Sequence, residues 1–296
     1  VLIGFAGLGR MGTPMAAHLA AAGHTVLAYD PATAQAPESV TLVDTPQALA
    51  ATDLSISMLP DGAVTRAVIL EGLSAVVPGH LHIVMGTVGP EVVRELAALS
   101  WLEVIDAPVS GSVSMAEAAT ITTMVGATLT QFELARPVLA AMTAAQFHAG
   151  PVGSGSTAKL AVNTVLAGLS QAVAEGLLLA EAGALDPATF YGILADSAAG
   201  APYVGYKRQA YLAPHTTPVA APVSLIRKDL GLALELAHRH SLTLPGAEAA
   251  LTVLDDAVAD GLAQADMAEV LTALRRRNAT ALTEIVSPAP QTGALS

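Results

Sequence analysis

The sequence predicts an α/β fold, with an N-terminal doubly wound sheet over residues 1–156, an all-α domain over 157–286 and a loose tail over 287–296. Three observations carry this reading. Short apolar runs alternate with helical stretches through the first half, a glycine-rich turn joins the first run to the first helix, and strand signals stop near Gly155.

In chain order, strands are expected at Leu2 to Ala6, Thr25 to Tyr29, Leu54 to Leu59, His82 to Met85 and Val104 to Asp106, followed by Thr122 to Val125 and Gln146 to His148. Helices fall between them, such as Met11 to Ala22, Pro46 to Ala51, Val64 to Val68 and Pro90 to Leu99. The alternation implies a mainly parallel sheet. Beyond Gly155 only helical patterns remain: Thr157 to Ala184, Pro187 to Ala195, Leu225 to His240, Ala247 to Asp260 and Met267 to Val286, separated by Gly and Pro clusters.

Leu160 to Leu185 has no lysine or arginine and approaches the ~20 apolar residues that span a bilayer. It also carries Asn163, Ser170, Gln171, Glu175 and Glu181, with no aromatic belt or basic anchor beside it. A buried helix, central in a soluble protein or at a subunit interface, is expected rather than a membrane span.

Hydrophobic residues make up 53% of the chain and charged residues 13%, which excludes a disordered chain. The net charge of −12, with no basic stripe, argues against a nucleic-acid partner. Arg275, Arg276 and Arg277 follow a helical pattern, where cations favour a C-terminus. The absence of cysteine rules out disulfides, thiolate metal sites and a cysteine nucleophile. His80 and His82, like His238 and His240, stand two apart rather than at the i, i+4 spacing of a helical metal pair, and read as packing or surface histidines. No metal site is expected, and no triad arrangement supports hydrolysis. The chain opens on a strand-like run without a charged leader, so a cytoplasmic enzyme is expected.

Gly7-Leu8-Gly9-Arg10-Met11-Gly12 is a G-x-G-x-x-G placed between a strand and a helix. The first glycine permits the tight turn, the second lets a pyrophosphate approach the backbone, and the third allows helix to pack closely on strand. This is the dinucleotide loop of a Rossmann domain, with helix N-terminal amides holding phosphate. Asp30, eighteen residues past Gly12, ends the second strand, where an acid accepts hydrogen bonds from ribose hydroxyls and repels a 2′-phosphate. NAD is therefore the expected cofactor, with NADP possible. Asp106-Ala-Pro-Val-Ser110-Gly111-Ser112 follows another strand at the sheet's carboxyl edge, where it is suited to an anionic or polar substrate group, although by composition alone it reads as an ordinary turn.

Lys159 is the one lysine or arginine between Arg136 and Lys207, and stands four residues before Asn163 in an apolar segment. One helical turn separates the two, so both project from one face. An ammonium there loses hydration and must be paired or have its pKa lowered, which suits a lysine for proton transfer, while a lysine snorkelling from a helix end is the other reading of the segment taken alone.

Together these motifs resemble the β-hydroxyacid dehydrogenases, the group within the 6-phosphogluconate dehydrogenase-like superfamily that contains 3-hydroxyisobutyrate dehydrogenase, tartronate semialdehyde reductase and the glyoxylate/succinic semialdehyde reductases. The resemblance rests on the glycine loop from Gly7, Asp106 to Gly111, Gly153 to Asn163 and Lys228-Asp229-Leu-Gly-Leu-Ala, with Met58-Leu59-Pro60 and Gly86-Thr87-Val88-Gly89-Pro90 between them. It implies an NAD(P)-dependent enzyme that oxidises a small β-hydroxy acid or reduces the matching semialdehyde.

Roles follow residue by residue. Lys159 is implied as general acid/base, Asn163 as the residue holding it or the substrate, and Ser110 with Gly111 as the site of the substrate carboxylate, beside Ser112. Gly7, Leu8, Gly9, Arg10, Met11, Gly12, Asp30, Met58, Leu59 and Pro60 are implied in cofactor binding, with Thr87 and Lys228 at the nicotinamide end. Four positions depart from the family pattern: Ser112 for a glycine, His18 for an asparagine, Val84 for an aspartate and Ala221 for a phenylalanine. Alternatives are an imine reductase on the same fold, which usually lacks the lysine, and a non-catalytic nucleotide-binding relative. The long apolar helix suggests a homodimer or homotetramer.

Overall fold

The computed structural model describes residues 1–280, so the expected tail over 287–296 and the last residues of the helix expected to reach Val286 lie outside the described residues. Two compact units divide the chain, Val1–Val162 and a second that starts at Asn163.

The first unit is built on nine strands: β1 (Leu2–Ala6), β2 (Thr25–Tyr29), β3 (Val40–Leu42), β4 (Leu54–Ser57), β5 (Leu81–Val84), β6 (Glu103–Asp106), β7 (Val109–Ser110), β8 (Ile121–Gly126) and β9 (Thr143–Gly150). They lie in the order β3-β2-β1-β4-β5-β6-β8-β7, with β9 beside β8. From β3 through β6 all pairings are parallel. β8 runs antiparallel to β6 and β7, a local exception to the parallel expectation. Helices α1 (Gly12–Ala21), α2 (Gly62–Gly72), α3 (Pro90–Ala97), α4 (Val113–Glu117) and α5 (Leu129–Ala140) connect the strands. The stretch Pro46–Ala51, expected as a helix, is a 3₁₀ turn.

Neighbouring residues on the central strands face opposite sides, as the two-residue period of a strand requires. Phe5, Ile83 and Ile105 enter one buried cluster, whereas Ala6, Val84 and Val104 enter another. Both faces are therefore covered, which is why these strands read as continuous apolar runs rather than alternating ones. Each large side chain among them contributes roughly 1.5–3 kcal/mol by burial.

Helix α6 (Ser154–Ala182) begins in the first unit and continues into the second, which adds α7 (Pro187–Asp196), α8 (Pro202–Leu212), α9 (Val223–Arg239), α10 (Pro245–Ala259) and α11 (Val270–Arg277). α6 is long and apolar enough to cross a membrane, a test that the core helix of a soluble protein also passes. Two of its polar residues nevertheless bind other helices: Ser170 pairs with the Tyr211 hydroxyl at 3.0 Å, and Glu181 binds Arg275. Val162, Val165 and Leu179 instead face outward, so the helix is less buried in this chain than a central core helix would be.

The arginine triplet closes α11 as cations at a helix C-terminus should. Arg276 pairs with Asp260 and Arg277 with Asp256. Helix α8, unannounced by the sequence pattern, holds the buried ion pair of Lys207 with Asp266 at 2.6 Å. Asp266 also accepts the backbone N–H groups of Ala220 and Ala268.

Candidate active site

The strand order turns at β1, which lies between β2 and β4, and in such sheets ligands bind beyond the carboxyl ends of the strands at that point. The residues there are the glycine loop. Gly7 has φ of +99°, and a Cβ on it would stand 2.4 Å from the Met58 carbonyl oxygen. A Cβ on Gly12 would stand 1.9 Å from the Gly7 carbonyl oxygen, so only glycine lets α1 begin this close to β1. Gly9 is the opposite case: it is exposed, and a Cβ there would meet nothing within 4 Å. Two glycines fit the chain to itself, and the middle one keeps the backbone open at the head of α1. That is the cradle a pyrophosphate requires.

Asp30 closes the loop from β2. Its Oδ2 accepts the Leu8 N–H at 2.7 Å and its Oδ1 the Ala32 N–H at 2.9 Å. The remaining lone pairs of a carboxylate so fixed are suited to ribose hydroxyls. Leu59 lies against Gly86, whose Cβ would fall 2.4 Å from the Leu59 carbonyl oxygen. The loop after β4, carrying Met58, Leu59 and Pro60, thus packs backbone to backbone on the loop of half-buried Thr87, and these residues line one edge with Gly7. Arg10 and Met11 complete the turn into α1, with Arg10 exposed.

On the proposed substrate side, Ser110 belongs to β7 and is half-buried, and Gly111 is exposed with φ of +149°. Ser112 caps α4: its hydroxyl accepts the Met115 N–H at 3.3 Å and lies 2.8 Å from the Ser114 hydroxyl. His18 reaches the other end of that helix, with Nε2 3.1 Å from the Ala116 carbonyl oxygen and 2.9 Å from that of Glu117. Carbonyls only accept, so Nε2 carries the hydrogen. Two departures from the family pattern therefore act on one short helix, one at each end.

Asp106 has a role that the sequence motif alone did not reveal. It is fully buried at the end of β6, where its carboxylate accepts the N–H groups of Gly153 at 2.7 Å and Ser156 at 2.5 Å. Gly126 and Gly155 leave it room, since a Cβ on Gly126 would lie 2.2 Å from its Oδ1. Burial pushes this carboxyl up, and the donated amide hydrogens oppose that. Asp106 thereby fastens the strand that leads to Ser110 and Gly111 to the head of α6.

Lys159 is half-buried on α6, and Asn163 follows one turn later, 3% exposed. The Asn163 Nδ2 donates to Asp229 Oδ2 at 2.7 Å, while Lys228 Nζ lies 2.9 Å from Asp229 Oδ1. Asp229 is the second residue missed by sequence reasoning. Its signal was its place beside Lys228 on the buried face of α9.

A Rossmann sheet with this loop, followed by a helical unit, defines a nicotinamide dinucleotide-binding oxidoreductase. Residues 2–150 match the NAD-binding domain of 6-phosphogluconate dehydrogenase, and residues 153–274 match the NAD-binding region of NADP-dependent 3-hydroxyisobutyrate dehydrogenase. The chain is 38% identical over 266 residues to 3-hydroxyisobutyrate dehydrogenase of Pseudomonas aeruginosa, covering 82% of this chain and 87% of that one. It is 34% identical over 298 residues to the probable 3-hydroxyisobutyrate dehydrogenase of Mycobacterium tuberculosis, covering 93% and 98%. The structure of the Mycobacterium tuberculosis 3-hydroxyisobutyrate dehydrogenase with L-serine superposes with a TM-score of 0.77 at 32% identity, covering 93% of this chain and 99% of that one. The chain belongs to the β-hydroxyacid dehydrogenase family, whose members here are NAD(P)-dependent oxidoreductases acting on CH–OH groups.

Proposed function

We propose that this protein oxidises a small β-hydroxy acid of the 3-hydroxyisobutyrate type to its semialdehyde, with NAD preferred and Lys159 as the general acid/base. The observation that carries the reading is the pairing on α6 of half-buried Lys159 with buried Asn163, whose amide is held by Asp229 at 2.7 Å. A bound oxidised nicotinamide would supply the hydride acceptor for the carbinol carbon. Lys159, neutral at that moment, takes the hydroxyl proton, and in the reverse direction its ammonium returns it. Ser110 and the backbone at Gly111 hold the substrate carboxylate, with Ser112 fixing their loop through its cap on α4. Gly7, Leu8, Gly9, Arg10, Met11, Gly12, Asp30 and the Met58 to Pro60 loop would hold the dinucleotide, with Thr87 and Lys228 toward its nicotinamide end.

Asp30 supports the NAD preference, because its carboxylate is fixed at the end of β2 and would repel a 2′-phosphate. The outward apolar face of α6, with Val162, Val165 and Leu179, supports a homodimer or homotetramer that buries it against a second copy. The test is NAD reduction across 3-hydroxyisobutyrate, glycerate, 4-hydroxybutyrate and L-serine, the last also found with the Mycobacterium tuberculosis relative. One β-hydroxy acid should dominate, and Lys159→Ala should cost orders of magnitude in turnover while NAD binding stays near normal. Turnover close to wild type in that variant would sink the assignment.

A further inference from the structure

Asn163 is a primary amide with one oxygen and one NH₂, and its function depends on which of them faces the reaction. The structure settles this locally. Asp229 Oδ2 lies 2.7 Å from the amide, and a carboxylate oxygen can only accept, so the group facing it is NH₂. The Asn163 Oδ1 then points the other way, buried and without a hydrogen-bond partner among the described residues. A buried carbonyl oxygen left so costs about 1–3 kcal/mol. Side chains on a helix lean toward its N-terminus, which aims Asn163 back over the turn that carries Lys159.

We infer that Asp229 is a positioning residue that locks the Asn163 amide so that its Oδ1, and not its NH₂, is presented as an acceptor to the group carrying the transferred proton. This rests on the reading of Lys159 and Asn163 as the proton-transfer pair. The group accepted is an N–H or O–H donor: the Lys159 amine, or the substrate hydroxyl whose proton that amine takes. An amide turned the other way would direct N–H at those donors and repel them. Asp229 is suited to the task because it is 3% exposed, and its other oxygen is engaged by Lys228 Nζ at 2.9 Å.

The test compares Asp229→Asn with Asp229→Leu. Both remove the charge beside Lys228, but only asparagine retains an oxygen that accepts the Asn163 NH₂. Asp229→Asn should turn over about tenfold or more faster than Asp229→Leu, the ratio that a lost hydrogen bond of this size predicts. In an Asn163→Ala background the two should agree within about twofold, because the amide to be oriented is gone. Titration of NADH fluorescence and thermal melting accompany each variant, and Asp229→Ala replaces leucine if that variant does not fold. An equal ratio in both backgrounds, or no ratio in the wild-type background, overturns the inference. Lys159→Ala run in parallel separates the two claims. Its near-normal turnover would undo the reading of the pair, whereas its inactivity with an unchanged ratio would undo only the role of Asp229. A further arm compares binding of the hydroxy acid with its deoxy analogue to the Asn163→Ala enzyme. Loss confined to the hydroxy acid identifies the substrate as the donor, equal loss or none identifies Lys159, and tighter binding of the hydroxy acid contradicts an acceptor role.

Discussion

The carboxylate of Asp106, the last residue of β6, accepts the backbone N–H of Ser156 in the first turn of α6 at 2.5 Å. A helix start carries amides with no partner inside the helix, and a side chain from another element satisfies two of them here, the second being Gly153. The helix that bears Lys159 is thus anchored by the strand that precedes Ser110. Asp106→Asn keeps the shape but turns an NH₂ toward one of the two amides. Loss of a buried acceptor costs about 1–3 kcal/mol, partly offset by removal of a buried charge. Thermal melting should show a small destabilisation. Because Lys159 stands one turn beyond Ser156, turnover should fall more than the KM for NAD rises, and steady-state kinetics with both substrates varied would check this.

The three loop glycines make different demands, which a pair of alanine variants separates. Gly12→Ala places a Cβ within 1.9 Å of the Gly7 carbonyl oxygen, so α1 must move off β1 and the protein should melt well below wild type or fail to fold. Gly9→Ala meets nothing within 4 Å, so melting should be unchanged while the KM for NAD rises about tenfold or more as the methyl group enters the pyrophosphate's approach. Melting curves and NAD titration distinguish the two. Equal effects from both variants would contradict these separate roles.

Asp30 fixes the loop through Leu8, and in the proposed function it also supplies charge at the ribose. Asp30→Asn retains an oxygen for the Leu8 N–H but removes the repulsion of a 2′-phosphate. The ratio of kcat/KM for NAD over NADP should fall by about tenfold, corresponding to ~1.4 kcal/mol. Most of the change should come from improved use of NADP. The same ratio in variant and wild type would remove Asp30 as the discriminator.

The double winding was legible because strands covered on both faces are mostly apolar, as Ile83 with Val84 and Val104 with Ile105 show. The glycine loop was legible because backbone contact dictates glycine at Gly7 and Gly12. What escaped was short or long-range. β3 has three residues and β7 two, too few for a pattern, and α5 carries Pro137 within it, a residue that reads as a breaker. Asp106 and Asp229 escaped because their partners are 50 and 66 residues away, at Ser156 and Asn163. The departure at Ser112 gained its meaning only once α4 was seen to begin there.

His80 and His82 read from sequence as packing residues, and the structure adds a polar chain through the sheet. His80 Nε2 and His82 Nδ1 each lie 2.8 Å from the Ser55 hydroxyl, and His82 Nε2 lies 2.9 Å from that of Ser57. All four are buried. Burial, with a smaller contribution from His80, drives the His82 pKa down to about 3, so it is neutral in the folded protein at pH 7. A depressed folded-state pKa means the unfolded chain binds the proton more tightly. The stability this neutral histidine contributes is complete above ~6.5, its unfolded value, and is lost as pH falls below that toward the folded value. Between pH 8 and pH 5 the loss from this one group is roughly 2 kcal/mol. His82→Asn retains donors and acceptors for Ser55 and Ser57 but cannot titrate. Urea unfolding at the two pH values should therefore show the wild type losing about 2 kcal/mol more than the variant. Parallel losses in the two proteins would mean that His82 takes no proton on unfolding.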